Sequence, residues 1–190
     1  MTRCLRWAAR MGVRAGAHPG LPSRADFGRG SATLCDGAEL RALLRGQVGC
    51  LAEAARSGRV RLFHVKLHGA LYHEVESSPA LAEAYVEEVA FRWPGLVVFG
   101  RCGGEVLQAA DRLGIESWAE GFLDRRYRDD GGLVPRGEPG ALIKDTGEVV
   151  RRARDIRERG GCWSIGGRWV PLAARTLCVH GDSPGAVEML

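Results

Sequence analysis

Apolar residues along this chain switch repeatedly between a period of about 3.6, which is typical of helices, and short runs that are typical of buried strands. The helical spacing covers the residues up to Met11 and then 36–56, 79–91, 103–113 and 148–159. The short apolar runs predict five strands, at 13–17, 60–67, 96–99, 115–119 and 176–179. Strands that alternate with helices in this way predict an α/β fold with a mostly parallel sheet covered by helices.

Two further elements are expected in the last third of the chain. Gly166 and Gly167 indicate a hairpin, and Ser183 followed by Pro184 indicates the start of a final helix. Residues 124–140 form a polar, glycine-rich loop that is too long for a simple connection between two elements. Loops of this kind usually carry function.

The length of 190 residues limits the possible architectures. A chain of this size buries roughly 70% of its unfolded surface, so one domain spanning 1–190 is expected. Five strands fit either an open sheet or a barrel, and the hydrophobic period alone does not distinguish the two. A complete TIM-type barrel has eight strands and typically takes ~250 residues, so a barrel here would be incomplete.

Charge and cysteine usage argue against several classes of protein. The chain has 27 Lys and Arg against 23 Asp and Glu, a net charge of +4, and its arginines are scattered rather than clustered as in a dedicated nucleic-acid binder. No apolar run approaches the ~18 residues of a membrane-spanning helix. The cysteines lack a C-x-x-C pair, which indicates reduced thiols in a cytoplasmic protein. They are Cys4, Cys35, Cys50, Cys102, Cys162 and Cys178.

The second predicted strand carries an unusual row of ionisable residues. Because residues two apart in a strand point to the same side, His64, Lys66 and His68 are expected to share one face. An unpaired ammonium group costs several kcal/mol to bury, so this row does not fit a covered sheet face. It fits the active-site end of a barrel, or else a solvent-facing edge strand. Tyr72 follows on the next loop.

Other polar residues also come directly after predicted strands, where parallel folds collect their chemistry. His18 follows the first strand, Asp124 and Arg125 follow the fourth, and His180 and Asp182 follow the fifth. Asp124 could act as a general base or hold a histidine in one tautomer, and Arg125 could clamp a carboxylate. Alternatively, these two residues form an ordinary surface ion pair.

Residues 131–136, which end at Arg136, have the glycine and proline content of a lid or rim segment. The glycine-rich stretch 100–104 precedes a predicted helix and is a candidate phosphate cradle. It matches neither G-x-x-x-x-G-K-[ST] nor G-x-G-x-x-G, so no motif supports ATP binding by this chain alone.

Five blocks of sequence, together with the FGR turn at 27–29, resemble the LamB/YcsF family, in family order and over nearly the whole chain. The blocks read GVRAGAHPG at 12–20, HVKLHGALY at 64–72, EGFLDRRY at 120–127, DGGLVPR at 130–136 and TLCVHGD at 176–182. The resemblance implies a distorted (β/α) barrel of the glycoside hydrolase/deacetylase type. It also implies ATP-dependent opening of 5-oxoproline to glutamate, carried out with two partner subunits, B and C, through which the ATP would be bound.

Departures from the family pattern concern both ends of the chain and two internal positions. Family members begin with an acidic strand motif and a Cys-Gly-x-His-Ala-Gly-Asp segment, and this chain starts after both. We therefore expect a partial barrel that lacks one or two N-terminal strands and a C-terminal helix and strand. Leu67 stands where proline is usual, and His73 stands where asparagine is usual.

Hydrolysis of a five-membered lactam needs an activated carbonyl, a water molecule and a group that stabilises negative charge. We expect Asp124, His180 or Asp182 to deprotonate the water, while Lys66 with His64 or His68 stabilises the negative charge. Arg125 is expected to hold the substrate carboxylate. The remaining residues expected to bind substrate are His18, Tyr72 and Arg136.

Three other functions stay open at this point. A metal-dependent carbohydrate deacetylase could use His18, His64 and His68 as ligands of a divalent metal ion. A non-catalytic remnant could bind only the partner subunits. A nucleic-acid binder is the third alternative, and salt-sensitive binding would reveal it.

Overall fold

The computed structural model describes residues 1–23, 25–30 and 36–190. Cys35 lies outside the described residues. The chain divides into two compact units, Met1–Trp118 and Ala119–Leu190. The expectation of one domain stays a prediction, and the two units are described separately.

The first unit alternates helices and strands as predicted. Its elements are α1 (Thr2–Arg10), β1 (Ala15–Ala17), α2 (Gly37–Ser57), β2 (Leu62–Val65), α3 (Gly69–Val75), α4 (Pro79–Arg92), β3 (Val97–Arg101) and α5 (Glu105–Arg112). Side-chain caps explain where two of the helices begin. Asp36 accepts hydrogen bonds from the amides of Ala38 and Glu39 at the start of α2, and Ser78 accepts from Leu81 at the start of α4.

The strand β4 (Ser117–Phe122) begins in the first unit and ends in the second. The second unit then contains α6 (Thr146–Arg159), β5 (Gly161–Trp163), β6 (Trp169–Pro171) and β7 (Thr176–Cys178). The strands β5 and β6 pair in antiparallel fashion, which confirms the hairpin predicted around Gly166 and Gly167. The five strands predicted as parallel follow the order β1-β2-β3-β4-β7 in one sheet.

The strand β1 pairs in parallel with β2, β2 pairs in parallel with β3, and β4 pairs in parallel with β7. The paired strands are short, three to six residues, and the backbone continues past several of them in an extended form. Leu40, Leu44 and Val48, which recur at helical spacing in α2, are fully buried.

Three local predictions differ from the structure. The strand β2 ends at Val65, so Lys66 and His68 lie beyond it rather than within it. Residues 69–75 form the helix α3 instead of a loop. The final helix predicted from Ser183 is wrong, because the chain forms only turns there, and Gly185 has a φ of +77°, a left-handed conformation that interrupts a right-handed helix.

No helix in the described part of the chain is both long enough and apolar enough to cross a membrane.

Candidate functional site

The register of β1 and β2 determines which polar residues become neighbours in the first unit. Gly16 pairs with His64 and Ala17 pairs with Val65. The same hydrogen-bonding pattern continues beyond the strands, because the Lys66 amide donates to the Ala17 carbonyl and the His68 amide donates to the Pro19 carbonyl. His18, Lys66 and His68 therefore all lie just past the carboxyl ends of two adjacent strands.

His18 and His68 contact each other directly. The His18 Nε2 and His68 Nδ1 atoms are 3.0 Å apart, and the rings meet edge to face with centroids 4.8 Å apart. Each ring also contacts a backbone carbonyl through its other nitrogen. The His18 Nδ1 lies 2.8 Å from the Lys66 oxygen, and the His68 Nε2 lies 2.7 Å from the Phe27 oxygen.

A turn formed by residues 26–29 contacts the His68 ring through the Phe27 carbonyl. The Ala70 amide donates to the Gly28 carbonyl at 2.9 Å, which ties the start of α3 to this turn. Gly69 has a φ of +57°, and a Cβ at this position would collide with the Gly28 carbonyl. Glycine is thus required at position 69 both by backbone conformation and by the close approach of a neighbouring peptide.

His64 is in a different environment from the other two histidines of this unit. Its ring stacks on Phe99 with centroids 4.2 Å apart, and a Cβ on Gly16 would overlap it on the other side. Burial, together with the positive charge of Lys66, lowers the pKa of His64 to about 4. Its Nδ1 is buried without a hydrogen-bond partner among the described residues. His64 is therefore uncharged at neutral pH.

The two other predicted residues of this unit flank the histidines. Lys66 is half-buried, and its backbone carbonyl anchors His18. Tyr72 lies in α3 and is 4% exposed, with its ring against the ring of His73. Its role in substrate binding stays a prediction.

In the second unit, the register of β4 and β7 brings Asp124 and His180 together. Phe122 pairs with Cys178, and the Leu123 amide donates to the Cys178 carbonyl. Asp124 and His180 each lie two residues beyond this last pair, so the extended backbone places them opposite each other. Glu120, which is buried, lies earlier in the same strand.

Asp124 is fully buried and accepts hydrogen bonds from three groups. The His180 amide and the Ser183 hydroxyl donate to Oδ2, at 2.9 and 2.5 Å, and the His180 Nδ1 lies 2.9 Å from Oδ1. Burial acts to raise the pKa of Asp124, but the hydrogen bonds from His180 and Ser183 outweigh it, and the pKa falls to about 2.

An ionised carboxylate only accepts hydrogen bonds, so the His180 Nδ1 must be the donor. In neutral His180 the lone pair is then on Nε2, the nitrogen that faces away from Asp124. The ring also stacks on Phe122 with centroids 5.8 Å apart. The arrangement can therefore remove a proton from a nearby water molecule through His180, with Asp124 as the residue that orients the ring.

Ser183 is the member of this group that sequence reasoning missed as a site residue. Its hydroxyl donates to Asp124 rather than to His180, so it is not arranged as a nucleophile. The sequence places it three residues after His180, and only the turn at 180–183, closed by a hydrogen bond from the Ser183 amide to the His180 carbonyl, brings it back to Asp124.

The remaining predicted residues of the second unit have partners of their own. Arg125 is 4% exposed and donates to the Val134 carbonyl at 2.6 Å, which holds the rim segment 131–136. Arg136 lies 3.5 Å from the Asp182 carboxylate. Arg136 therefore forms an ion pair with Asp182, and Arg125 holds the backbone of the rim segment.

The glycine-rich stretch at 100–104 already holds an anionic group. The Glu76 carboxylate accepts hydrogen bonds from the amides of Arg101 and Val106, at 2.7 and 3.4 Å, at the start of α5. A Cβ at Gly104 would overlap this carboxylate. Burial raises the pKa of Glu76, and the backbone hydrogen bonds oppose that effect. The chain's own side chain thus fills the cradle that the sequence suggested for phosphate.

Within residues 1–23, 25–30 and 36–190, no group of three or more His, Cys, Asp or Glu side chains is arranged to hold a metal ion. His64 stacks on Phe99, whereas His18 and His68 contact each other. The three histidines considered as metal ligands therefore do not form a three-ligand site.

The comparisons with known proteins agree on one family. The model of the LamB/YcsF family matches residues 1–190. A Methylococcus capsulatus protein, named as the A subunit of 5-oxoprolinase, is 42% identical over 186 residues, which is 98% of this chain and 71% of that protein. The crystal structure of the lactam utilization protein from Thermus thermophilus matches with a TM-score of 0.89 at 33% identity, covering 99% of this chain and 76% of that one.

The structural likeness confirms the predicted fold class, an incomplete, distorted (β/α) barrel of the α/β class. The family match covers the whole chain, and the Methylococcus relative is similar over almost all of it. This chain belongs to the LamB/YcsF family.

Proposed function

We propose that this chain is the A subunit of a 5-oxoprolinase, which opens 5-oxoproline to glutamate at the expense of ATP, together with partner subunits B and C. The observation that carries the proposal is the 42% identity, over 98% of the chain, to the Methylococcus protein that bears this name. The Thermus relative is named for lactam utilization, and 5-oxoproline is a lactam.

The reaction is the hydrolysis of an unstrained amide. ATP, bound by the partner subunits, would activate the carbonyl by phosphorylating the lactam oxygen. One water molecule then adds to the carbonyl carbon, the ring C–N bond breaks as the nitrogen takes up a proton, and the former lactam carbonyl remains as an acyl phosphate. A second water molecule hydrolyses this acyl phosphate to the carboxylate and releases phosphate. The products are glutamate, ADP and phosphate.

His180 is the group best placed to take the proton from the water. Asp124 keeps Nδ1 protonated, so Nε2 presents a lone pair, and Asp124 stabilises the imidazolium that forms when this lone pair is protonated. Asp124 itself is buried, has three hydrogen-bond donors and a pKa of about 2, so it is a poor base near neutral pH. Among the three bases considered from sequence, the geometry favours His180.

Lys66 and His68 are the residues proposed to stabilise negative charge on the reacting oxygen. Lys66 supplies a positive charge at the carboxyl end of β2, and His68 lies two residues further along. His64 is uncharged at neutral pH, because its pKa is about 4. Of the two histidines considered for this role, the structure therefore favours His68.

Arg136 is the better placed of the two arginines to bind the substrate carboxylate. Its ion pair with Asp182 is 3.5 Å long and half-exposed, and such pairs contribute little stability. A substrate carboxylate could replace Asp182 at small cost. Arg125, in contrast, is buried and holds the Val134 carbonyl, and we propose that it shapes the rim rather than leaving it to bind substrate.

Reconstitution tests the proposal. The purified chain is combined with subunits B and C of a 5-oxoprolinase from a related organism, and glutamate formed from 5-oxoproline and ATP is measured. We expect glutamate only when all three subunits are present. The variant His180→Gln should abolish most of the activity, and His73→Asn, at an exposed position outside the site, should retain it.

Two outcomes would overturn the proposal. Binding of the partner subunits without glutamate formation would favour the non-catalytic remnant. Hydrolysis of an N-acetylated sugar that depends on an added divalent metal ion would favour the deacetylase.

A further inference from the structure

Ser183 is a buried polar residue to which the proposed mechanism assigns no task. Its hydroxyl group donates to Asp124 Oδ2 at 2.5 Å, whereas the other donors of this carboxylate lie at 2.9 Å or more. Hydrogen bonds of this length from a hydroxyl group to a carboxylate are among the strong ones, because the acceptor is charged. Ser183 can therefore act on His180 through Asp124.

The sequence around Ser183 matches a pattern that is found at serine nucleophiles. Residues 181–185 read GDSPG, which has the G-x-S-x-G spacing, and in such enzymes a turn from a strand into a helix presents the serine. Here turns follow β7 instead of a helix, and the hydroxyl group donates to Asp124. The geometry therefore makes Ser183 a hydrogen-bond donor to a carboxylate rather than a nucleophile.

The backbone fixes Ser183 on both sides of its side chain. Its amide donates to the His180 carbonyl at 3.0 Å, and its carbonyl accepts from the Ala186 amide at 3.1 Å. The second of these turns contains Gly185, whose φ of +77° favours glycine. A residue held in this way loses little further conformational freedom when its hydroxyl group points at Asp124.

The two oxygens of Asp124 accept different donors. Oδ2 accepts from the Ser183 hydroxyl and from the His180 amide, which together use the two lone pairs of a carboxylate oxygen. The His180 Nδ1 lies 2.9 Å from Oδ1 and 3.1 Å from Oδ2. We infer that Ser183 is a positioning residue, whose hydroxyl group occupies Oδ2, directs the imidazole of His180 to Oδ1 and keeps the buried Asp124 ionised.

The charge of Asp124 depends on these hydrogen bonds because the carboxylate is fully buried. Burial acts to raise its pKa, and the hydrogen bonds from His180 and Ser183 lower it to about 2. Removal of the Ser183 hydroxyl takes away one of the donors that stabilise the negative charge. The pKa of Asp124 should then rise towards its ordinary value.

The other charged groups next to these residues in the chain have partners of their own. Arg125 directly follows Asp124, and its side chain donates to the backbone of the rim segment. Asp182 pairs with Arg136 at 3.5 Å. His180 is the titratable side chain that contacts Asp124, so the serine hydroxyl and the two donors of His180 are the contacts that the test must separate.

The catalytic part of this inference rests on the proposed function, in which Asp124 orients His180 as the base. Without the Ser183 hydroxyl, both carboxylate oxygens become available to the imidazole N–H, and the His180 Nε2 is aimed less consistently at the water molecule. The hydrogen bond from Ser183 to Asp124 does not depend on that function, so it can be tested on the chain alone.

Three substitutions of Ser183 separate its hydroxyl group from its size. Ser183→Ala removes the hydroxyl. Ser183→Thr and Ser183→Val have nearly the same shape as each other, but only threonine can donate to Asp124. Pro184 follows, and the extended backbone that a residue before proline prefers also suits β-branched side chains. Ser57→Ala, at an exposed position at the end of α2, is the control for loss of a serine elsewhere.

Urea unfolding of the chain alone, between about pH 2 and pH 4, tests the hydrogen bond. The ionised form of Asp124 stabilises the fold above this interval, and that stabilisation is lost as the pH falls through it. We expect a weaker pH dependence in Ser183→Ala and Ser183→Val, and a dependence close to that of the unsubstituted chain in Ser183→Thr and Ser57→Ala. The same pH dependence in all five proteins would overturn the inference.

Glutamate formation in the complex reconstituted with subunits B and C tests the positioning role. We expect Ser183→Ala and Ser183→Val to lower kcat by about 10-fold or more with little change in KM for 5-oxoproline, and Ser183→Thr to recover most of that loss. A purely structural role would predict equal losses in the threonine and valine variants, and that result, or an unchanged kcat in Ser183→Ala, would overturn the positioning role.

Failure of the proposed function would give a different result. In that case, no glutamate forms even with the unsubstituted chain, whereas the unfolding measurements still distinguish Ser183→Thr from Ser183→Val. The hydrogen bond between Ser183 and Asp124 would then be confirmed, and its part in 5-oxoproline hydrolysis would be rejected together with the proposed function.

Discussion

In both units, histidines lie just past the carboxyl ends of paired strands, but different chemical groups hold their rings in place. In the first unit, His18 and His68 follow β1 and β2 and are anchored by two backbone carbonyls. In the second unit, His180 follows β7 and is anchored by the carboxylate of Asp124. Strand register determines the position of a ring in both units, and the chemical nature of its anchor determines which nitrogen can accept a proton.

His64 shows a third environment within the same strand pair. Its ring lies between Gly16 and Phe99, and its buried Nδ1 has no hydrogen-bond partner in the part of the chain that the structure describes. Burial lowers the pKa of His64, whereas His180 has a carboxylate as the hydrogen-bond partner of its Nδ1. Histidines in similar sequence positions thus lie in different chemical environments.

The largest expected effect comes from removing the carboxylate anchor with Asp124→Asn. An amide has only one oxygen to accept from the three donors that converge on Asp124, and it no longer fixes the His180 tautomer. We expect kcat of the reconstituted enzyme to fall by about 10³-fold, within the range found for positioned acid–base groups. Glutamate formation measures it, with Asp111→Asn, at an exposed position in α5, as the control.

The same substitution should change the acid stability of the chain. The folded pKa of Asp124, about 2, is below the ordinary value of 3.8, so its ionised form stabilises the fold above about pH 4. That stabilisation is lost as the pH falls from about 4 to about 2. Urea unfolding across this interval should show a weaker pH dependence in Asp124→Asn, and an identical dependence in both proteins would contradict the hydrogen bonding described for Asp124.

Lys66→Met tests the charge of the first unit. Methionine keeps the length of the side chain and removes its positive charge, so we expect turnover to fall by about 10²-fold or more. Lys144, the only other lysine, is exposed in the second unit, and Lys144→Met is the matched control. Unchanged turnover in Lys66→Met would reject a role for Lys66 in stabilising negative charge.

Gly16→Ala tests whether the His64 ring needs the space that the absence of a side chain at position 16 leaves open. The new methyl group would overlap that ring, which Phe99 holds from the other side, and overpacking of this kind costs about 1–3 kcal/mol. Thermal unfolding should show a lower Tm. Gly46→Ala is the control, because Gly46 is exposed in α2 with open space around it, and alanine there should stabilise the helix slightly.

The smallest effect is expected from His64→Phe, which keeps an aromatic ring against Phe99 and removes the titrating group. The folded pKa of His64, about 4, is below the ordinary value of 6.5, so the unfolded chain binds more protons between these values. The stability of the unsubstituted chain should therefore rise with pH from about 4 to 6.5. This slope should be smaller in His64→Phe and retained in His73→Asn when both are followed by urea unfolding.

Much of the fold was predictable because its signals are local. Hydrophobic periodicity located all five parallel strands and predicted the starts of α2 and α4 to within one residue. The helix α3 was missed because its first residues follow an extended strand without a capping side chain. The helix predicted from Ser183 failed because Gly185 adopts a left-handed conformation, which local propensity does not reveal.

The candidate site was predictable as a set of residues but not as an arrangement. The sequence indicated that Asp124 and His180 follow strands, yet the choice of Asp124 as orienting residue and His180 as base needed the register of β4 and β7. Ser183 joins them only through a turn. The expectation that His64, Lys66 and His68 share one face did not anticipate the stacking of His64 on Phe99.

The sequence by itself determined the α/β fold class, the family and the candidate site residues, because helical period, strand runs and motif spacing are properties of the chain read in order. Only the tertiary structure decided which groups contact each histidine ring. Protonation depends on which atoms surround each ring nitrogen, and those atoms come from residues some 50 positions away along the chain, as with His18 and His68 or His180 and Asp124.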